Sequence, residues 1–472
     1  MAIERERGIS VVTSVMTFDY DGRVFNLLDT PGHEDFSEDT YRTLTAVDSA
    51  VMVIDAAKGI EARTRKLFEV CRLRDIPIVT FINKMDRESR DPFELLDEIE
   101  KTLALDTAPM TWPIGRGRDF AGTYDIASGE MRLISEDGKT VDRQPLDLAS
   151  LAAKNSMLDA KAIEEELALV KEACRPFDFK SFREGHLTPV FFGSALKNFG
   201  VKDLLDALAV FAPPPRAQES NARAVDAHEN GMTAFVFKIQ ANMDPNHRDR
   251  IAFARLCSGK LRRGMKAKLA RTGKPITLAT PQFFFAQDRA LADEAYAGDV
   301  VGIPNHGTLR IGDTLTEGED IAFLGVPNFA PEILRRVKLG DPMKAKKLKE
   351  ALQQMAEEGV VQVFRPLDGA PALVGVVGPL QLDVLKMRLA DEYGLDIGFE
   401  QPEFQLARWI SGDPKKLEDF VQANYSSCAE DLDGDRVFMA RNQFILDYTR
   451  ERAPGIVFTD IKDVKDRAAA AA

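Results

Sequence analysis

The sequence predicts an α/β domain with a parallel sheet, followed by a small β-barrel and then an α+β domain. Over the first 215 residues, apolar runs alternate with amphipathic segments, which is typical of parallel strands buried on both faces. Short strand-like runs separated by turns occupy 232–325, as in a small barrel. From about 330 onward, strand and helix patterns alternate again. A chain of 472 residues is too long for one hydrophobic core.

The elements of the first domain follow from its pattern. Residues 11–18 are strand-like, and Asp21-Gly22 predicts a two-residue hairpin turn into a second strand at 23–28. The later elements alternate between predicted helices (37–46, 61–74, 91–103, 201–211) and apolar runs (50–54, 76–82, 188–192). The stretch 109–187 interrupts this alternation with Gly-rich, hairpin-like sequence and a charged helix near 159–173. We interpret it as an insertion before the last strand.

Pro213-Pro214-Pro215 is a stiff linker and the clearest domain boundary. Beyond the barrel region, the pattern predicts two helices, at 342–357 and 379–392, and two strands, at 360–365 and 372–377. A further α/β segment runs to about 460. We therefore expect domains at 1–215, 216–328 and 329–472.

The composition excludes several classes of protein. A formal net charge of −13 argues against general coating of nucleic acid, because an acidic chain repels an anionic polymer. No stretch has the length and apolarity of a membrane span. The four cysteines form no Cys-x-x-Cys pair, so we expect reduced structural thiols rather than a zinc site. We expect a cytoplasmic monomer without a DNA or membrane partner.

The first motif that carries chemistry is Asp29-Thr30-Pro31-Gly32-His33, directly after a predicted strand. Such a turn can direct the Gly32 N–H at a terminal phosphate and Asp29 at magnesium through a water molecule. Glycine lets the backbone approach the phosphate closely, because it has no Cβ. The alternative is an ordinary strand-to-helix turn.

The second motif, Asn83-Lys84-Met85-Asp86, also follows a strand directly. A buried carboxylate at Asp86 can accept hydrogen bonds from N1–H and the exocyclic amine of guanine, whereas adenine would leave it unpaired. Lys84 can lie along the base plane, and Asn83 can tie the loop to its neighbours. The alternative is a charged loop that caps a helix.

A third motif, Gly193-Ser194-Ala195, follows the last predicted strand, and its backbone N–H can contact the base carbonyl oxygen. Alone it is weak. All three motifs, however, lie at the carboxyl ends of predicted parallel strands, where such sheets bind ligands. Together they predict a guanine-nucleotide site.

These motifs resemble those of translational GTPases, which implies a P-loop-type GTPase domain that binds GTP or GDP with magnesium. Within this resemblance, 4–10 is similar to the switch-one segment, and Ser10 keeps a hydroxyl for magnesium beside Asp29. His33 occupies the position of the histidine that orients the attacking water. The resemblance implies this nucleotide-binding set: Asp29, Thr30, Pro31, Gly32, His33, Asn83, Lys84, Met85, Asp86, Ser194, Ala195 and Leu196.

Four further segments (110–115, 189–194, 358–367 and 377–383) resemble the release factor 3 branch of this family. That branch implies a ribosome-dependent GTPase of translation termination, which promotes release of class-I release factors after peptide release. Two alternatives remain: another elongation factor G-like GTPase, or a non-hydrolysing ribosome-binding remnant.

The sequence departs from the family in one respect, since it contains no Gly-x-x-x-x-Gly-Lys-Ser/Thr. That loop would hold the α- and β-phosphates through backbone N–H groups and a lysine. We expect the first strand, phosphate loop and first helix to be lacking, apolar sheet edges to be exposed, and nucleotide binding to be weak. Either Met1 is a mis-assigned start or the chain is a natural remnant, and the intact downstream motifs favour the first explanation.

Two basic stretches, 260–274 and 335–349, are candidate contacts for ribosomal RNA, although either can be a solvated face. Asp431-Leu-Asp-Gly-Asp435 is not a calcium loop, because Arg436 stands where the glycine of the sharp turn belongs and Asn442 where the bidentate glutamate belongs.

Overall fold

The computed structural model describes residues 4, 10–134, 141–154, 158–241, 250–285, 288–326 and 328–462. These residues form two compact units. The first unit contains Met1–Phe18, Asn26–Ala46 and Pro215–Ala472, and the second contains Asp19–Phe25 and Val47–Pro214.

The described chain begins with the predicted hairpin. Strands β1 (Ser14–Tyr20) and β2 (Arg23–Asp29) form a two-stranded sheet. Asp21 and Gly22 form the turn, with φ of 49° and 68°, which confirms the turn expected from an Asp-Gly pair. A short 3-10 helix (Glu34–Phe36) and helix α1 (Ser37–Leu44) follow.

The second unit is α/β, as predicted. Its strands are β3 (Ala50–Asp55), β4 (Ile78–Asn83), β5 (Asp106–Pro109), β6 (Thr111–Ile114), β7 (Gly122–Asp125), β8 (Glu130–Ile134), β9 (Val141–Pro145) and β10 (Leu187–Phe192). Its helices are α2 (Ala62–Leu73), α3 (Pro92–Leu103), α4 (Leu148–Lys154), α5 (Ala160–Ala173), α6 (Phe179–Arg183) and α7 (Val201–Phe211).

Four of these strands form a parallel sheet in the order β3-β4-β10-β5. All six residues of β10 are buried, as are the first five of β4, because both strands lie inside the sheet. Strand β5, which has four residues and contains a proline, was not predicted from the sequence. At the other edge, β3 pairs only with β4 among the described residues, and Val53 is 57% exposed. An apolar sheet edge is therefore exposed, as expected.

The interpretation of 109–187 as an insertion is confirmed. Strands β6 to β9 form a separate antiparallel sheet, and helix α5 packs beside it. The side chain of Glu166 on α5 accepts a hydrogen bond from Nε1 of the fully buried Trp112 at 3.2 Å. The insertion thus has a fixed place within the second unit.

In the first unit, the region predicted as a barrel is an antiparallel β-domain. Its strands are β11 (Gln218–Glu219), β12 (Ala224–Val225), β13 (Thr233–Ala241), β14 (Arg250–Ser258), β15 (Lys260–Arg262), β16 (Lys266–Leu269), β17 (Lys274–Thr277), β18 (Gln282–Phe285), β19 (Asp288–Leu291), β20 (Glu294–Tyr296), β21 (Val300–Pro304) and β22 (Thr314–Thr316). Eight of them form one sheet in the order β17-β16-β22-β13-β14-β21-β18-β19. Its core is aliphatic and includes Val236, Leu256, Val301 and Leu315.

The remainder of the first unit is α+β, as predicted. It contains β23 (Asn328–Phe329), β24 (Ile333–Leu339), α8 (Ala345–Glu357), β25 (Gln362–Pro366), β26 (Leu373–Val376), α9 (Pro379–Tyr393), β27 (Ile397–Glu400), β28 (Leu406–Gly412), α10 (Pro414–Ala423), β29 (Cys428–Glu430), β30 (Arg436–Ala440), α11 (Gln443–Arg452), β31 (Ile456–Thr459) and β32 (Ile461–Lys462). No helix in the described part of the chain is long and apolar enough to cross a membrane.

This α+β region consists of two consecutive βαββαβ units, β24 to β27 and β28 to β31. They share one eight-stranded sheet in the order β27-β24-β26-β25-β29-β30-β28-β31. The two units are joined by only two residue pairs, because β25 of the first unit pairs with β29 of the second through Arg365–Glu430 and Pro366–Ala429. The two units therefore meet at one edge strand of each.

All four cysteines are free thiols, as expected. Burial raises the pKa of Cys71 to about 12 and that of Cys428 to about 11, so both thiols are protonated at neutral pH.

Candidate nucleotide-binding site

The base-recognition loop begins where β4 ends, at Asn83. The Asn83 Oδ1 atom accepts a hydrogen bond from the Lys84 N–H at 2.8 Å and from the Ala195 N–H at 2.9 Å. One side chain thus joins the second and third motifs of the sequence. The predicted tie by Asn83 is confirmed.

A second connection runs through the backbone. The Met85 N–H donates to the Gly193 carbonyl at 3.1 Å, and the Met85 carbonyl accepts from the Gly117 N–H at 2.9 Å. A Cβ atom at Gly193 would lie 2.7 Å from the Phe81 ring and would also collide with the Phe199 carbonyl. The motif therefore needs glycine at this position because the backbone packs closely against β4 and against the Phe199 carbonyl.

Lys84 adopts a left-handed conformation, with φ of 71°. Its ammonium nitrogen lies 2.7 Å from Oδ2 of Asp55, the last residue of β3. Partial burial raises the pKa of the Asp55 carboxyl, but the contact with Lys84 outweighs it, and the net pKa is lowered. Asp55 was not among the predicted site residues, although its place at the carboxyl end of an adjacent parallel strand is a signal that identifies it.

The remaining residues of these loops differ in exposure. Asp86 is partly exposed, so the expectation of a buried carboxylate is wrong; Asp86 follows the buried Met85 at the point where the loop leaves the sheet. Ala195 is exposed and Leu196 is 77% exposed, which leaves an apolar side chain in solvent beside the loop. Ser194 is fully buried, and its hydroxyl has no hydrogen-bond partner among the described residues.

The Asp29–His33 motif lies in the first unit. Pro31 is buried, Thr30 is half-buried, and Asp29 and Gly32 are exposed. Although Asp29 is exposed as a residue, desolvation of its carboxyl raises its pKa. A nearby cation would offset this effect, because an opposite charge favours the ionised form.

His33 is half-buried and precedes the short helix Glu34–Phe36. Its Nδ1 atom accepts a hydrogen bond from the Asp35 N–H at 3.3 Å, which places the ring proton on Nε2 in the neutral form. Ser10, in the same unit, is exposed, whereas residues 5–9 of the proposed switch-one segment lie outside the described residues.

The rejected calcium loop has a different role. The carboxylates of Asp431, Asp433 and Asp435 converge within 4.8 Å of one another. The Lys462 ammonium contacts all three, at 2.5 Å from Asp431 and 3.0 Å from Asp433. Lys462 and Asp431 are both buried, so a lysine supplies the positive charge for this cluster.

Comparison with known families covers most of the chain in three consecutive matches. Residues 1–214 match the elongation factor Tu GTP binding domain, and 231–318 match elongation factor G domain 2. Residues 323–450 match the C-terminal domain of class II release factor RF3. The chain belongs to the class II release factor RF3 family. Membership in the RF3 family agrees with the P-loop GTPase fold, the β-domain and the α+β domain that the sequence predicts.

A solved structure of a protein from Thermus thermophilus resembles the chain in fold, with a TM-score of 0.69 and 23% identity. The match covers 88% of this chain but 62% of that protein. The chain thus spans less than two thirds of the length of this structural relative.

Proposed function

We propose that this RF3-family protein is a ribosome-dependent GTPase of translation termination that promotes release of class-I release factors after peptide release. The observation that carries the proposal is the joining of the 83–86 and 193–195 loops by Asn83 next to an RF3-type C-terminal domain. The ribosome is the direct partner, class-I factors are indirect partners, and the protein acts as a cytoplasmic monomer. Residues 1–215, 216–328 and 329–472 are its proposed domains.

In this proposal, Asp86 accepts two hydrogen bonds from guanine, and Lys84 and Leu196 lie along the faces of the base. The partial exposure of Asp86 and the exposure of Leu196 leave both side chains accessible to a ligand. The hydroxyl of Ser10 and the carboxylate of Asp29 are the oxygen donors that magnesium prefers, so these residues would hold it. Thr30, Pro31 and Gly32 would lie beside the terminal phosphate of the nucleotide. His33 would orient the attacking water molecule.

Exchange of the base tests the assignment of Asp86. Asp86→Asn replaces an acceptor with an amide donor, which opposes the guanine amine but suits the carbonyl oxygen of xanthine. We expect the substitution to reverse the preference from guanine to xanthine nucleotides in a competition-binding assay. Asp97→Asn, on the exposed face of α3, is the control and leaves the preference unchanged. An unaltered preference in Asp86→Asn contradicts the assignment.

We infer that the 472-residue polypeptide would hold the phosphates less firmly than the base, because its sequence has no Gly-x-x-x-x-Gly-Lys-Ser/Thr. We infer weak nucleotide binding and little GTP hydrolysis by this polypeptide. Calorimetry with GDP measures the first property, and an affinity of micromolar or better contradicts the inference. Ribosome-stimulated GTP turnover by this polypeptide and by an upstream-extended form measures the second.

The same sequence feature supports a second candidate function, a non-hydrolysing ribosome-binding module. Co-sedimentation with ribosomes separates binding from turnover. A polypeptide that sediments with ribosomes while neither form hydrolyses GTP supports the binding module, whereas turnover by the extended form supports the GTPase.

The basic stretches are unequal candidates for ribosomal RNA. In the β-domain, Lys260, Arg263 and Lys268 each form an ion pair with an acidic neighbour: Glu294, Asp293 and Asp320 respectively. On helix α8, Lys346, Lys347 and Lys349 are exposed and form no ion pair within the described chain. Arg262, Lys266 and Lys274 of the β-domain are likewise exposed without an ion pair in the described chain, but they lie on three different strands, whereas the three lysines of α8 fall within about one helical turn. We therefore place the RNA contact on α8, where these charges are available together to phosphate.

A further inference from the structure

The turn that carries His33 is attached to the C-terminal α+β domain within the first unit. Asp35, two residues after His33, is buried. Its Oδ2 atom accepts a hydrogen bond from the N–H of Leu380, in the first turn of helix α9, at 2.6 Å. The first N–H groups of a helix have no partner within the helix, so Asp35 supplies one from 345 residues away in sequence.

The same aspartate contacts His33 in two ways. When the ring is neutral, the Asp35 backbone N–H donates to His33 Nδ1 at 3.3 Å. The Oδ1 atom of Asp35 lies 3.4 Å from that nitrogen and forms an ion pair with it only when the ring is protonated. Asp35 therefore lies between the imidazole ring and the beginning of α9. A displacement of α9 relative to this carboxylate alters the surroundings of Nδ1.

Gly378 makes the close approach possible. It precedes α9 with φ of −141°, which any residue can adopt, so its backbone does not require glycine. A Cβ atom there would lie 2.5 Å from Oδ2 of Asp35 and would overlap the rest of the carboxyl group. The carboxyl group of Asp35 therefore occupies the space that a side chain at Gly378 would fill.

Apolar packing supports the polar contact. Phe36 and Val11 form a buried cluster with Val384 of α9, and Leu380 and Met387 pack against it. Further along α1, the buried guanidinium of Arg42 donates to the carbonyl of Gly359 at 3.4 Å. The segment from Asp35 to Arg42 is therefore held by the α+β domain at two points.

We propose that Asp35 is a positioning residue, through which helix α9 fixes the orientation of the His33 ring. The inference rests on the role proposed for His33 in GTP hydrolysis. It adds that the α+β domain affects the orientation of the reacting water through one carboxylate, that of Asp35. Movement of α9 away from Asp35 releases the ring, and its return restores the ring orientation.

The test uses the ring resonances of the five histidines in the full chain. Histidine labelled with carbon-13 at Cε1 gives one ring cross-peak per residue, and loss of a peak in His33→Gln assigns His33. We expect Asp35→Ala and Gly378→Ala each to shift the His33 peak and to leave the His186 peak in place. Gly398→Ala is the matched control, because a Cβ there meets no atom within 4 Å, and it moves neither peak.

Two further variants separate positioning from general loss of structure. Asp35→Asn keeps an oxygen acceptor for Leu380 N–H, so the His33 peak returns toward its wild-type position. In urea unfolding, Gly378→Ala lowers the midpoint in the wild-type background but has little effect in the Asp35→Ala background, because the obstructing carboxyl group is gone. Gly378→Ala can be compared in both backgrounds even when it does not fold alone. If Gly378→Ala fails to fold but the Asp35→Ala, Gly378→Ala double variant folds, the result shows the same dependence of residue 378 on the Asp35 carboxyl group.

A His33 peak that stays in place in Asp35→Ala and Gly378→Ala overturns the proposal, as does an equal effect of Gly378→Ala in both backgrounds. None of these measurements needs GTP turnover. Absence of ribosome-stimulated turnover in the upstream-extended form, together with a shifted His33 peak, therefore contradicts the proposed function while leaving the positioning contact intact.

Discussion

The Lys238 ammonium nitrogen lies 3.2 Å from Oδ2 of Asp39, and this pair joins helix α1 to the β-domain in the first unit. Lys238 is 3% exposed. Oδ2 of Asp39 also accepts a hydrogen bond from the Thr13 N–H at 2.7 Å. Burial raises the pKa of the Asp39 carboxyl, but Lys238 and Thr13 outweigh it and hold the pKa below its ordinary value.

A pKa that is lowered by folding makes stability depend on pH. The contribution of Asp39 is fully present above the pKa of the unfolded chain, near 3.8, and is lost as pH falls through the lower folded value. We expect Asp39→Asn to cost about 3 kcal/mol at pH 7, because it leaves the Lys238 charge buried without its partner. The cost shrinks as pH falls below 4. Urea unfolding at several pH values measures it, and a cost that is constant across this range contradicts the prediction.

The tie by Asn83 predicts a local loss of structure. Asn83→Ala removes the acceptor of the Lys84 and Ala195 N–H groups, and we expect it to lower the free energy of unfolding by about 1 kcal/mol. Hydrogen exchange of a peptide that covers 194–197 should become faster, while exchange in α5 does not change. Unchanged exchange at 194–197 shows that the two loops are held together by other contacts.

Gly193 should tolerate no side chain. Gly193→Ala places a methyl group against the Phe81 ring and the Phe199 carbonyl, so we expect a loss of roughly 2 kcal/mol from overpacking. Gly231→Ala is the control, since a Cβ there meets nothing within 4 Å. Thermal unfolding of both variants measures the difference, and equal melting temperatures refute the packing argument.

Lys462 should make the Asp431–Asp435 loop insensitive to calcium. Lys462→Met removes the cation that contacts all three carboxylates and leaves the ion pair between Asp433 and Arg310, so we expect a loss of about 3 kcal/mol. Millimolar calcium should raise the melting temperature of this variant but not that of the wild-type protein. An equal rise in both proteins contradicts the role assigned to Lys462.

The parts of the fold that depend on local pattern were predictable. The Asp21-Gly22 turn, the buried strands β4 and β10, and helix α9 all follow from periodicity or turn chemistry within a few residues. The short strand β5 was missed because four residues give too little periodicity and its proline disfavours a strand.

In the candidate site, too, the features that depend on local sequence were predictable and those that depend on distant contacts were not. Asn83 was predicted to tie its loop because its motif is local, and the structure confirms the contact. Asp55 carried a sequence signal, its place directly after a predicted parallel strand, but its contact with Lys84 and the exposure of Asp86 depend on which elements lie beside the β4 loop. The contact between Asp35 and Leu380 joins residues that no local pattern relates.

The two βαββαβ units also bear on the order of folding. Each is continuous in sequence, from Ile333 to Glu400 and from Leu406 to Thr459, so its contacts can form with short loop closures. The strands that flank them, β23 and β32, pair with each other across the whole region. Because this pairing closes the longest loop, we expect it to form last and to open first, which makes the β23–β32 contact the kinetic latch of the α+β domain.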